Sequence, residues 1–347
     1  MILKEYTFQQ KMKITEQQYT NINKLIIKLR SLLNTNHFLD VDILDKEKLS
    51  LLINLSKEIK LQFQNKSNTF TPLKGKMLAN LFFESSTRTR LSFEIAGKLL
   101  GAHVINFPEK GSSTEKGESL ISTIQTIESL GADFIIIRHP DSGAPYAITK
   151  TIIKSSVINA GDGQHAHPTQ ALTDAFTLKE HLVNLEGKKI VIVGDINHSR
   201  VFRSNLWTLT SLGMNVVITG PQEFLPNFDL TKTLPSNIKQ KQITIEHDLE
   251  KALENADVIM PLRIQKERHL SKLNQNLKTY VSQWQINETK LKLAKTNALI
   301  MHPGPVNEGI EISANLINSP QSLIQKQVEN GVFCRMAILL SCKKDFS

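Results

Sequence analysis

The chain has 347 residues, 40% of them hydrophobic and 22% charged, enough for two domains of ordinary size, each with its own core. No apolar run approaches the roughly 18 residues that span a bilayer, and Met1 to Lys13 lacks the apolar stretch of a secretory signal, so no membrane association is expected. The formal net charge of +9 rests on scattered lysines such as Lys57, Lys60, Lys66, Lys74 and Lys76, without a dense run or interleaved aromatics, so no nucleic-acid partner is expected either.

The two cysteines, Cys334 and Cys342, form neither a disulfide framework nor a set of metal ligands, and a reducing cytoplasm is the expected location. Ile14 to Leu33 and Lys46 to Gln62 carry apolar residues at three- and four-residue steps and read as amphipathic helices. A repeating alternation follows. Met77 to Phe83 reads as a buried strand and Thr89 to Leu100 as a helix; His103 to Phe107 is a strand, Gly117 to Leu130 a helix, Asp133 to Arg138 a strand. A short strand over Val157 to Ala160 leads to a helix from Pro168 to about Leu182. The cycle restarts with a strand over Lys188 to Gly194, a helix over Ser199 to Leu212 and a strand over Asn215 to Thr219. Asp257 to Leu262 and Ala298 to His302 add two more strands, and Pro221 to Pro235 reads as a mobile loop.

Strands alternating with helices imply parallel sheets covered on both faces. The expected fold is therefore α/β, with two doubly wound domains, each a mostly parallel sheet flanked by helices, and an active-site cleft between them. The boundary is expected near His167 to Ala171, giving a first domain of residues 1–168, completed by a C-terminal helix over 325–347, and a second domain of residues 169–324.

In parallel sheets, ligands bind beyond the carboxyl ends of the strands. After Met77–Phe83 comes Glu84-Ser85-Ser86-Thr87-Arg88-Thr89-Arg90, where hydroxyls, helix-start N–H groups and arginines gather at the positive end of a helix dipole; this is a phosphate cradle. Other strand ends carry Arg138-His139-Pro140, His167-Pro168-Thr169-Gln170, Asp195 through Arg200, Arg263-Ile264-Gln265 and His302-Pro303-Gly304-Pro305. Arginines at four strand ends point to strongly anionic substrates. No Walker-type loop, no G-x-G-x-x-G, no G-x-S-x-G elbow and no metal-ligand spacing is present. Positive charge without a nucleophile or metal suits direct transfer between two bound substrates, so neither a cofactor nor a metal is expected.

Phe82 through Glu94 resembles the carbamoyl phosphate signature of the aspartate/ornithine carbamoyltransferase family. His167-Pro168-Thr169-Gln170, Gly194-Asp195 with His198-Ser199-Arg200, Arg263 through Arg268 and His302-Pro303-Gly304-Pro305 resemble its aspartate branch, in order and spacing, over roughly Lys74 to Leu340. Ornithine enzymes carry a cysteine in the late motif and need acidic partners for an ammonium group, whereas guanidinium forks at Arg200 and Arg263 pair two-pronged with carboxylates. The resemblance implies carbamoyl transfer to aspartate, the second step of de novo pyrimidine (UMP) biosynthesis. It leaves open a different acceptor, such as ornithine, or a non-catalytic carbamoyltransferase-like subunit.

The same resemblance implies roles residue by residue. Ser86, Thr87, Arg88 and Thr89 hold the phosphate, and Arg138 bridges it to the carbamoyl group. Thr89, Arg138 and His167 direct donors at the carbamoyl oxygen, and Gln170 accepts from its amine. The carbonyls of Gly304 and Pro305 orient both amino groups. Arg200, Arg263 and Gln265 clamp the aspartate carboxylates, while Ser112 and Lys116 enter from a neighbouring subunit, with Lys116 reaching aspartate in a homotrimer of shared sites. A regulatory chain or a dihydroorotase-like partner stays open. The chain departs from the family pattern at Glu308, where Pro-Val-Asn is usually followed by Arg, and the segment before about Lys24 is longer than the family needs.

Overall fold

The computed structural model describes residues 19–64, 70–107, 119–227, 230, 242–264 and 277–342. The chain folds as two compact units, Met1–Leu172 with Asn330–Ser347, and Thr173–Glu329.

The first unit is built on four parallel strands, β1 (Met77–Phe82), β2 (His103–Phe107), β3 (Phe134–His139) and β4 (Ser156–Asp162), in the order β2-β1-β3-β4. Between them run α3 (Thr87–Leu99), α4 (Leu120–Ser129) and α5 (Ala144–Thr149), preceded by α1 over residues 19–33 and α2 (Lys46–Gln64). β1, β3 and β4 are buried along most of their length, with apolar stretches such as Phe134 to Ile137; Ile124 and Ile127 of α4 and Ile148 of α5 pack with Ala79, Leu81, Ile135 and Ile137. β2, at the edge, is largely exposed. At the other edge, residues 37–39 run along β4, Phe38 N–H donating to Val157 O and Phe38 O accepting from Asn159 N–H, both at 2.9 Å.

The second unit holds β5 (Lys189–Val193), β6 (Asn215–Thr219), β7 (Ile243–Ile245), β8 (Val258–Pro261) and β9 (Leu299–Ile300), all parallel, in the order β7-β6-β5-β8-β9. Helices α7 (Arg200–Ser211) and α8 (Leu249–Leu253) accompany them, with a helix over 277–284 (α9), α10 (Glu288–Leu291) and α11 (Ala314–Ile317). Two longer helices, α6 (Pro168–His181) and α12 (Ile324–Cys342), each contain one of the points where the chain passes from one unit to the other. Both cysteines lie on α12 and are buried. No helix among the described residues is long and apolar enough to cross a membrane.

Each sheet winds outward from its first strand in one direction and then returns to the other side, which sets a switch point at β1/β3 in the first unit and at β5/β8 in the second. The same clamp closes the amino end of both strand pairs. Asp133 Oδ2 accepts from Met77 N–H and Asp257 Oδ2 accepts from Lys189 N–H, each at 2.9 Å, with Lys76 at 3.4 Å in the first case and Lys295 and Lys188 at 2.8 and 3.3 Å in the second.

The strands expected from apolar runs are present, those over His103 to Phe107 and Asn215 to Thr219 with the expected ends and the others with ends shifted by one or two residues. Short elements without a strong pattern escape a sequence reading: β7, α5, α8, α10 and α11. Of the loop expected over Pro221 to Pro235, residues 222–224 form a 3-10 turn with Phe224 buried, and 228, 229 and 231–235 lie outside the described residues, as do 14–18 of the first expected helix.

Candidate active site

In the first unit, Phe83 N–H donates to Arg138 O at 2.9 Å, which lays the turn after β1 against the end of β3. Glu84 Oε1 then accepts from Arg138 Nη2 at 2.9 Å, and the arginine side chain is only 11% exposed, so its guanidinium is held in place. Arg138 Nη1 lies 3.5 Å from both His167 Nε2 and Ala160 O. Pairing of β3 with β4 shifts register between Ile137 and His139, and such an irregularity re-aims the side chain that stands in it, here Arg138.

Helix α3 begins beside this arginine. Ser86 occupies the N-cap with extended backbone but makes no side-chain capping bond, and the first intrahelical bond runs from Arg90 N–H to Ser86 O. The N–H groups of Thr87, Arg88 and Thr89 therefore stand at the open helix end, with Thr87 and Arg88 exposed and Thr89 buried.

His167 is buried and stands immediately before α6, on a turn shaped by Asp162. That carboxylate is fully buried and accepts from Gly143 N–H at 2.7 Å, Asn159 Nδ2 at 2.8 Å and Ala166 N–H at 3.2 Å, with His165 Nδ1 at 3.0 Å. Burial alone would raise its pKa, but the His165, Gly143 and Asn159 hydrogen bonds outweigh it and hold the carboxyl below the ordinary aspartate range. Gly163 has φ +49°, and a Cβ there would come within 2.7 Å of Ser142 N and 2.9 Å of Pro140 O, so the turn requires glycine. Gln170, half-buried, follows in the first turn of α6.

In the second unit, Gly194 leaves β5 with φ +115°; a Cβ there would meet Tyr280 Oη at 3.0 Å and Leu262 O at 3.4 Å. Buried Asp195 fixes the following loop, its Oδ1 lying 2.7 Å from His198 Nδ1 and accepting from His198 N–H at 3.3 Å. Ser199 caps α7, accepting from Phe202 N–H at 3.1 Å, and Arg200, the first helical residue, is 8% exposed. Across the switch point, Arg263 stands two residues beyond β8 and is half-buried.

Beyond β9, His302 is fully buried. Its Nδ1 accepts from Gly304 N–H at 2.8 Å, which leaves the ring proton on Nε2, 3.2 Å from Glu311 Oε1. Glu311 also accepts from Asn307 N–H at 2.6 Å, and Asn307 Nδ2 donates to Ile264 O at 3.3 Å, tying this loop to the residue after Arg263. Gly304–Pro305 is a cis peptide. Glu308 is exposed and has no ion pair among the described residues. Among those residues, no three His, Cys, Asp or Glu side chains are gathered as metal ligands. Ser112, Lys116 and Gln265 lie outside the described residues.

The model of the aspartate/ornithine carbamoyltransferase carbamoyl-P binding domain matches residues 36–180, and that of the Asp/Orn binding domain matches residues 186–342. The chain belongs to the aspartate/ornithine carbamoyltransferase family. Within it, the chain is 46% identical over 308 residues to the aspartate carbamoyltransferase catalytic subunit of Dehalococcoides mccartyi, covering 88% of this chain and 91% of that one. It is also 46% identical over 304 residues to the Roseiflexus sp. catalytic subunit, covering 87% and 93%. Among solved structures, aspartate transcarbamoylase from Trypanosoma cruzi in complex with carbamoyl phosphate superposes with a TM-score of 0.81 at 30% identity, covering 90% of this chain and 97% of that one. Ornithine carbamoyltransferase from Pyrococcus furiosus gives 0.78 at 28%, covering 88% and 96%.

Several groups that shape this carbamoyltransferase site do not stand out in the sequence. Glu84 lies inside the first motif, yet its partner Arg138 is 54 residues away. Asp162 and Glu311 act through folded turns, and only their setting among glycines, prolines and histidines hints at it.

Proposed function

We propose that the chain transfers the carbamoyl group of carbamoyl phosphate to the amino group of L-aspartate, releasing N-carbamoyl-L-aspartate and phosphate, as in the second step of de novo pyrimidine synthesis. The first unit takes carbamoyl phosphate: the open N-terminus of α3 with Ser86, Thr87, Arg88 and Thr89 receives the phosphate. Arg138, braced by Glu84, lies beside His167, and with Thr89 these two direct donors at the carbamoyl oxygen. Gln170 accepts from the carbamoyl amine. The second unit takes aspartate, with Arg200 and Arg263 clamping its carboxylates, assisted by Gln265, while the Gly304 and Pro305 carbonyls orient the amino groups.

The neutral amine attacks the carbamoyl carbon, and negative charge grows on the oxygen of the tetrahedral intermediate. Collapse breaks the bond from carbon to the phosphate oxygen. The amine proton leaves with the phosphate, since no side chain among the assigned residues stands as a base.

The choice of acceptor is carried by one observation: guanidiniums follow both strands of the second switch point, Arg200 at the start of α7 and Arg263 beyond β8. An ornithine ammonium would need carboxylates there, and the buried ones that follow β5 and β9 are already engaged, Asp195 by His198 and Glu311 by His302 and Asn307. The assembly is read as a homotrimer in which residues 112 and 116 reach a neighbouring site. In support, Leu91 and Ile95 of α3 and Ile105 of edge strand β2 stay about half exposed on the first unit. Two free, buried thiols suit the cytoplasm.

Purified chain supplied with carbamoyl phosphate and either aspartate or ornithine tests the reading. Carbamoyl aspartate without citrulline is expected; citrulline instead would overturn the roles given to Arg200 and Arg263.

A further inference from the structure

We infer that His165 is a positioning residue for His167, bridging Asp162 and Asp40 so that the turn carrying His167 is latched to residues 37–41. The inference rests on the reading of His167 as a donor to the carbamoyl oxygen.

Asp162 ends β4 and gathers donors from three places: Gly143 at the start of α5, Asn159 within its own strand, and Ala166 in the turn. The turn is closed further by Asp162 N–H to Ala166 O at 3.1 Å and His165 N–H to Asp162 O at 2.9 Å. His165 adds its ring. Nδ1 lies 3.0 Å from Asp162 Oδ2, and on the far side Nε2 lies 3.5 Å from Asp40 Oδ2. Asp40 belongs to the segment fixed along β4 by the Phe38 backbone bonds and by Asn159 Nδ2 donating to Leu39 O at 2.9 Å. One imidazole thus joins two carboxylates on chain segments more than a hundred residues apart, two positions before His167.

The groups facing this ring are acidic or aromatic. Asp162 and Asp40 touch it, Asp42 adds negative charge nearby, and the Tyr146 ring stands edge-on at 5.8 Å. The Asp162 hydrogen bond, reinforced by the charges of Asp162, Asp40 and Asp42, raises the His165 pKa against the opposing effect of burial. Burial pushes Asp40 up to about 6. The ring therefore keeps its proton to higher pH than an ordinary histidine, and while protonated it has a donor for each carboxylate.

Because the folded-state pKa of His165 is raised, its contribution is complete below the ordinary histidine value and is lost as pH rises through the raised one. The deprotonated ring keeps its Nδ1–H on Asp162 but turns a lone pair toward the Asp40 carboxylate, and the latch opens on that side. His167 then loses part of its fixed position, and turnover should fall while the aspartate site in the other unit is untouched.

The test compares kcat and the aspartate KM of the full chain and of His165→Asn, His165→Gln and Asp40→Asn, from mildly acid to alkaline pH. Asparagine places its amide near the Nδ1 position and keeps the Asp162 bond; glutamine reaches the Nε2 position and keeps Asp40. Neither titrates. Both should lower kcat between about 10- and 100-fold, the scale of a misplaced reacting geometry, with KM changed less than about twofold, and both should lose the alkaline limb expected of the wild type. Asp40→Asn should keep a limb but move it to lower pH, because the ring has lost one of the charges that raise it. Variants that keep the wild-type limb, or that lose melting temperature without a change in pH profile, would overturn the latch. An inactive wild type would instead sink the assigned reaction, so the two failures are told apart.

Discussion

The helices that follow the first strand of each sheet begin alike in sequence, Ser86-Thr87-Arg88 in α3 and Ser199-Arg200 in α7, yet their N-termini are finished differently. In α7 the serine hydroxyl caps Phe202 N–H, so one of the leading N–H groups is already engaged, and Arg200 opens the helix. In α3 the serine makes no such bond, and three N–H groups stay available beside Arg88. An open helix end suits a phosphate, which accepts several N–H groups at once; a capped end with an arginine suits a carboxylate, which a fork grips from the side. On the proposed assignment, one local motif serves two anions, and the capping hydroxyl distinguishes them.

The largest effect should come from removing the arginines that follow the two serines. Arg88→Ala should lower kcat by roughly 100- to 1000-fold, as for the loss of a group that stabilises developing charge, with a lesser effect on the aspartate KM. Arg200→Ala should instead raise that KM, by roughly 10- to 100-fold from about 1.5–3 kcal/mol per charged hydrogen bond. Steady-state kinetics with each substrate varied separately reads this, and equal changes in both variants would erase the contrast between the helix ends.

The clamps at the opposite ends of the sheets are graded too. Asp257 is 8% exposed and joined by two lysines, whereas Asp133 is 27% exposed and joined by one at longer range. Asp257→Asn should therefore destabilise more, on the order of 1–3 kcal/mol against less than about 1 for Asp133→Asn, by urea unfolding. Burial raises the Asp257 pKa, but the Lys295, Lys189 and Lys188 contacts outweigh it and the net shift is downward. Its stabilisation is then present above the ordinary aspartate range and lost as pH falls through the lowered value, so the gap between Asp257→Asn and wild type should close in acid.

The smallest effect separates the caps themselves. Ser199→Ala should lower stability by about 0.5–2 kcal/mol, while Ser86→Ala should leave melting nearly unchanged and weaken carbamoyl phosphate binding. A stability loss in Ser86→Ala would show that this helix end is capped after all.

Much of this was legible in the sequence. Buried parallel strands write themselves as runs such as Ile190 to Val193 and Phe134 to Ile137, and Arg138 stands where the second run stops, while Arg200 follows the first after a short loop. β7 was not legible because it is three residues long and half open to solvent on an edge, so burial leaves no pattern in it. The bracing of Arg138 by Glu84, and of the His167 turn by Asp162 and Asp40, depends on contacts between distant segments. Sequence spacing carries no trace of them until the sheet order brings β1, β3 and β4 side by side.

The two cysteines on α12 give the molecule a built-in reporter. Cys342 is sealed from water, and burial pushes its thiol up to about 12, so hardly any thiolate exists in the folded state; Cys334 is equally enclosed. A thiol reagent can then react only when α12 lifts away, and its labelling rate counts those openings. With no engineered dye, the same chain that is assayed for turnover would show how often its last helix lets go.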